Sequence, residues 1–198
     1  MTRSRAILAA TSIAAAAALL VAGCDDDPPA TPSPETTAAS ESPSASPSPS
    51  ATAVVVAPER PKEMDDDGPA GAEAAAVYFL ELDPYIMKTG DTAKYEEMSS
   101  KSCTHCSARI DQANEIAEQG DQWHGGDVKA RVVHTYEQEA TTEIWPMDVA
   151  VRISPVSVTD TSGSEVFSEA ADTTESRVEM ARRDGQWVVV EVRTDQSS

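Results

Sequence analysis

The tract Ser42-Pro43-Ser44-Ala45-Ser46-Pro47-Ser48-Pro49-Ser50 constrains this chain more than any other feature. Around it, from Asp25 to about residue 62, Pro, Ser, Thr and Ala dominate. Such a composition buries too little apolar surface to offset chain entropy, so this part is expected to be a disordered tether. Its prolines keep it semi-extended at about 3 Å per residue, on the order of 100 Å when stretched. That reach suits a spacer, and its Ser and Thr are also compatible with O-glycosylation. Val54-Val55-Val56 is a small apolar island that could dock on a neighbouring domain. Residues 63–195 remain for a core, enough for a single domain.

Charge excludes whole classes of function. The chain carries 34 acidic and 15 basic side chains, net -19. No positive footprint for a phosphate backbone can be built from that balance, so no nucleic-acid partner is expected. Asp65-Asp66-Asp67-Gly68 lacks the alternating oxygens and closing Glu of a calcium loop and reads as a solvated acidic boundary.

Arg3 and Arg5 precede an apolar run, Ala6 to Ala22, of about 17 residues. The run is at the lower limit for a bilayer span and reads as a signal peptide over residues 1–23. It closes in Leu20-Val21-Ala22-Gly23-Cys24, which resembles the bacterial lipobox. The resemblance implies recognition of Val21, Ala22 and Gly23, and diacylglyceryl transfer to Cys24 with palmitate-type chains. Cleavage would leave Cys24 as the new N-terminus and residues 24–62 as the lipidated tether. Two acyl chains supply the stable anchoring that one chain cannot. The implied partner is therefore the lipid bilayer, and the implied location is the extracytoplasmic face of the cell membrane.

Beyond the tether, periodicity changes twice. Pro69 suits the first turn of a helix, and Ala72, Ala75, Ala76, Phe79, Leu80 and Leu82 share one helical face. Pro84 should kink that helix or end its first half, and Gly90 should stop it. A short helix follows around Ala93, Tyr95 and Met98. Cys103, Cys106, Ile110, Ala113 and Ala117 step by three and four, predicting a third helix with one buried stripe that ends at Gly120. After Trp123-His124-Gly125-Gly126 the period becomes two. Val128, Ala130, Val132, His134 and Tyr136 then share a face, and Met147, Val149 and Val151 alternate with Asp148 and Arg152. Asp160-Thr161-Ser162-Gly163 is a turn, and Asp184-Gly185 is a hairpin signal into Trp187–Val192. Three helices followed by an antiparallel meander of four or more strands make an α+β domain with the helices on one face of the sheet.

That order resembles the cone-shaped fold of nuclear transport factor 2 and the SnoaL-like polyketide cyclases. Tyr78-Phe79-Leu80, Thr89-Gly90-Asp91, Cys103-Thr104-His105-Cys106 and Asp184-Gly185-Gln186-Trp187 also resemble a family of actinobacterial lipoproteins of unknown function. The resemblance implies a fold and a location but no reaction.

Three candidate sites follow. Cys103 and Cys106 form an even pair in an oxidising compartment once Cys24 is lipidated, and one helical turn brings them within disulfide range. A structural disulfide is expected. A redox pair, a metal pair and free thiols stay open beside it. His105, His124 and His134 are the other soft ligands, but no second Cys pair with zinc-ribbon spacing exists, so no metal or other cofactor is expected and His105 reads as solvated. His134 and Tyr136 share a face with Val128 and Val132 and are expected to point into a pocket inside the cone. The expected function is a membrane-anchored module that binds an unknown protein or small molecule without catalysis. The alternatives are a SnoaL-like lyase or isomerase using His134 and a thiol-disulfide protein using Cys103 and Cys106. A homodimer through the sheet, with Trp145 or Trp187 marking the face, is a further expectation.

Overall fold

The computed structural model describes residues 54–194. The expectations for the signal peptide, Cys24 and nearly all of the tether lie outside the described residues. A single 3-10 turn, Lys62–Asp65, leads into helices α1 (Pro69–Thr89), α2 (Ala93–Glu97) and α3 (Thr104–Gln119). The strands are β1 (Gln122–Gly125), β2 (Val128–Thr135), β3 (Ile144–Ile153), β4 (Val156–Thr159), β5 (Glu165–Glu169), β6 (Asp172–Arg183) and β7 (Gln186–Thr194). The order β2-β3-β6-β7 makes one antiparallel sheet and β1-β4-β5 a second. The domain is therefore mixed α+β, with its helices before its sheets. No helix among the described residues is long and apolar enough to cross a membrane.

Helix α1 starts with Pro69 in its first turn and ends at Gly90, whose φ of 70° lets its N–H reach back to Ile86 O at 2.8 Å. Pro84 neither ends nor splits it, contrary to expectation. An interior proline costs about 3 kcal/mol. Phe79, Leu80, Leu82, Ile86 and Met87 are buried on both sides of it, and each such side chain contributes roughly 1.5–3 kcal/mol. Burial outweighs the lost hydrogen bond.

Helix α3 buries Cys106, Ala113 and Ile116, with Cys103 as its N-cap. Ile110 packs half-buried against the core as expected, and the stripe departs from expectation only at its end, where Ala117 is exposed. A three-residue step from Ala113 turns the larger Ile116 inward in place of Ala117, burying more apolar surface.

The core lies between α1 and the four-stranded sheet. Met147, Val149 and Val151 of β3 and Val178 and Met180 of β6 are buried there with Val189 and Val192 of β7. Phe79 stacks on Tyr95 with centroids 4.1 Å apart, tying α1 to α2. Trp187 is buried, and its Nε1 donates to Met64 O at 3.1 Å. Trp145 packs half-buried against the core. Trp187 is therefore not presented on an outer face, whereas Trp145 keeps part of its surface exposed.

The second sheet interrupts the expected meander. The β4–β5 hairpin leaves between β3 and β6 and pairs with β1. Pro155 starts the departure, and the Gly126 N–H donates to Pro155 O at 3.0 Å. Gly125 makes the approach possible: a Cβ there would lie 2.1 Å from Pro155 O. At the other end, Asp184 and Gly185 both take positive φ in a tight hairpin turn.

Gly71, in the first turn of α1, is equally crowded. A Cβ on it would sit 1.9 Å from Asp66 O. Gly71→Ala must push the 3-10 turn away from α1, and we expect a loss on the order of 2 kcal/mol despite alanine's better helix propensity. A thermal melt checks this. An unchanged or raised Tm would show that the turn shifts freely.

Candidate functional site

A cavity of about 200 Å³ lies where α1, α2 and α3 meet the two sheets. Leu80, Val128, Val151, Ile153, Val156 and Val192 make its walls largely apolar. Asp83, Tyr95, His105, Arg109, Trp123 and Glu169 bring polar groups to it.

Each polar group has a local reason for its place. Asp83 lies in α1 beside the buried Leu82, and Arg109 lies in α3 one turn after His105. The two form a fork: Arg109 Nε donates to Asp83 Oδ1 at 2.6 Å and Nη2 to Asp83 Oδ2 at 2.5 Å. Nη1 donates to Gln112 Oε1 at 2.6 Å. The guanidinium carbon lies 5.9 Å from the Trp123 ring centroid. Gly126, at φ 66°, lets that ring lie close, since a Cβ there would be 2.6 Å from Trp123 Nε1. The indole N–H is buried without a hydrogen-bond partner.

Cys103 and Cys106 are joined, with S–S 1.97 Å and Cα–Cα 5.2 Å. Both are buried, and Cys103 Sγ also accepts from the Cys106 N–H at 3.2 Å. The disulfide closes the first turn of α3, the turn that carries His105. That residue is half-buried on the cavity wall rather than solvated as expected. Burial holds its imidazole pKa below the ordinary 6.5; Asp83 opposes the shift and Arg109 adds to it. Burial also pushes the Tyr95 hydroxyl well above the ordinary tyrosine range.

His134 and Tyr136 do not face this cavity. The β2–β3 register shifts between Val132 and His134, which inverts the inside–outside alternation beyond it. Thr135 turns inward instead, donating from Oγ1 to Glu73 Oε1 at 2.6 Å. His134 and Tyr136 turn outward and meet edge to face at 4.3 Å. The Tyr136 hydroxyl donates to Asp148 Oδ2 at 2.7 Å, and the Arg177 guanidinium carbon lies 4.5 Å from its ring centroid. This is a surface network, and the expected pocket pair is corrected accordingly. His124 Nε2 lies 3.0 Å from Thr159 Oγ1 on the second sheet. Among the described residues, no three His, Cys, Asp or Glu side chains converge on a metal position.

Asp83, Arg109 and Trp123 were missed by sequence reasoning. Only Trp123 had a local signal, a tryptophan placed three residues before a glycine that must leave room for it.

The His105 shift has a pH consequence. Its folded pKa lies below the unfolded value, so the unfolded chain binds the extra proton. The stability it contributes is complete above about pH 6.5 and is lost as pH falls from there through the lower folded value. His105→Gln should flatten the stability profile in that window, read by denaturant melts from pH 7.5 down to about 5. An unchanged slope would show that the imidazole is not desolvated.

Residues 44–193, well over half of the chain, match the family of unknown function DUF6318. No curated protein matches the chain. Among solved structures, the intermembrane space region of the chloroplast protein ARC6 is similar at 14% identity, covering 63% of this chain and 93% of that one, with a TM-score of 0.50. Aln2 from a Streptomyces species aligns at 15% identity over 64% of this chain and 90% of its own, with a TM-score of 0.38. ActVI-ORFA from Streptomyces coelicolor aligns at 12% over 66% and 99%, also at 0.38. At such identities the likeness is one of fold alone. By the span of its family match, the chain belongs to DUF6318, a family of unknown function.

Proposed function

We propose that this protein is a membrane-anchored extracytoplasmic lipoprotein whose domain holds a small ligand in the helix–sheet cavity without transforming it. The carrying observation is the Asp83–Arg109 fork, which fixes a guanidinium on the wall of a largely apolar cavity. Both Asp83 oxygens are engaged by Arg109, so this carboxylate serves to position rather than to shuttle protons. The anchoring half of the reading rests on Leu20-Val21-Ala22-Gly23-Cys24 and on the Pro/Ser-rich tract after it. Burial of both disulfide sulfurs supports a staple over a thiol-disulfide catalyst, because exchange requires an incoming thiolate to reach a sulfur.

One observation favours a second reading. His105, held below its ordinary pKa, brings an imidazole able to accept a proton to the same wall. A SnoaL-like lyase or isomerase would use it in place of His134.

Two measurements test the proposal. Cys24→Ala should release the chain from the membrane fraction or leave it unprocessed; a mature-sized chain still on the membrane contradicts the anchor. Native mass spectrometry of the chain after exposure to a small-molecule extract should show an adduct that Val151→Phe, filling the cavity, abolishes. A released compound unchanged in both mass and NMR spectrum supports binding; a changed mass supports the lyase, and an unchanged mass with a changed spectrum supports the isomerase.

A further inference from the structure

We infer that the cavity selects a small uncharged molecule bearing a hydroxyl group, which accepts the Tyr95 O–H and donates in turn to the His105 imidazole; this rests on the cavity being a ligand site. Tyr95 is 1% exposed, yet its hydroxyl makes no hydrogen bond with any described residue. A buried hydroxyl in that state calls for a partner. The Trp123 and Trp145 indole nitrogens are sealed, but the Tyr95 oxygen is not: it keeps the small opening left to this side chain. That opening is onto the cavity, whose wall Tyr95 helps to form. Stacking on Phe79, with centroids 4.1 Å apart, holds the ring in this direction.

His105 supplies the matching group. It stands one helical turn before Arg109 on α3, so the two share the face that α3 turns to Asp83. Its ring nitrogens have no hydrogen bond among the described residues, and they too are open rather than sealed. Burial keeps the imidazole neutral at pH 7, with one nitrogen donating and the other accepting. Burial also keeps the proton on Tyr95. Both residues feel the charges of Asp83 and Arg109, which puts them around the same fork. The fork offers no acceptor of its own, since Arg109 occupies both Asp83 oxygens.

One donor and one acceptor therefore stand open on the wall. A ketone or ether takes the Tyr95 proton but leaves the imidazole acceptor empty. An ammonium fills the acceptor and leaves the Tyr95 proton without a partner. A carboxylate enters beside Asp83 and Glu169, on a chain of net charge -19. A hydroxyl accepts and donates at once, without charge. Leu80, Val151 and Ile153 receive its apolar remainder. At about 200 Å³ the space lies below the roughly 300–1,000 Å³ of drug-sized pockets, so the molecule is small.

Five probes of similar size test the class: 2-phenylethanol, benzyl methyl ether, propylbenzene, phenethylamine and phenylacetate. They are titrated at pH 7 into the full chain carrying isotope-labelled methyl groups. Phenylethanol should bind roughly tenfold more tightly than propylbenzene, the gain of well-made hydrogen bonds over none, and more tightly than the other three. Tyr95→Phe keeps the stack on Phe79 and removes only the hydroxyl. It should abolish most of that gain while leaving propylbenzene unchanged. His105→Phe should bring phenylethanol down to the affinity of the ether. Equal binding of alcohol and hydrocarbon overturns the hydroxyl class, as does binding of the ether, amine or carboxylate that matches or exceeds the alcohol. A Tyr95→Phe variant that keeps the full preference overturns it too. In each of those cases shifts at the Val151 methyls leave the cavity as a site. Absence of any shift at the Val151 methyls with all five overturns the class and the cavity reading together.

Discussion

The joint between α1 and α3 is made by the two parallel hydrogen bonds of the Asp83–Arg109 pair, and the geometry of the cavity depends on it. The pair is half-buried, with side-chain exposures of 17% and 23%. A bidentate fork fixes angle as well as distance, which a lysine in place of Arg109 could not do. Loss of either partner would leave a poorly solvated charge beside an apolar wall, whereas replacing both with apolar residues would be far milder. The pair is therefore better understood as setting position than as adding stability.

Two further constraints act on the same helix. The Cys103–Cys106 disulfide closes its first turn, and Gly120, with φ 72°, closes its last. A three-residue loop gives only a modest entropic gain, so the bond serves mainly to fix where α3 begins. His105 lies inside that loop and Arg109 one turn beyond it. The residues that line the cavity thus sit on the stretch of helix that is held from both sides.

What could be read in the sequence was local. Helix α1 announced itself by its alanine-rich face, its first-turn proline and Gly90; the last hairpin did so by Asp184-Gly185. The Cys103–Cys106 spacing placed a disulfide at a helix start. What could not be read depends on contacts between distant residues. Asp83 and Arg109 are 26 residues apart, and no period links them. A single extra residue near Val133 reverses the facing of everything after it in β2, so alternation put His134 and Tyr136 on the wrong side. Pro84 misled for the opposite reason: a local rule was overridden by burial on both sides. The β4–β5 hairpin was hidden because its partner β1 lies more than 30 residues earlier in register, Trp123 opposite Val158.

Coupling of α1 to α3 through the fork is measured most directly by a double-mutant cycle, using Asp83→Asn, Arg109→Gln and the pair together in denaturant melts. A coupling on the order of 1–3 kcal/mol is expected, with the double variant scarcely worse than either single one. Effects that add to within about 0.5 kcal/mol would mean the two side chains act independently, and the clasp at the cavity would be contradicted.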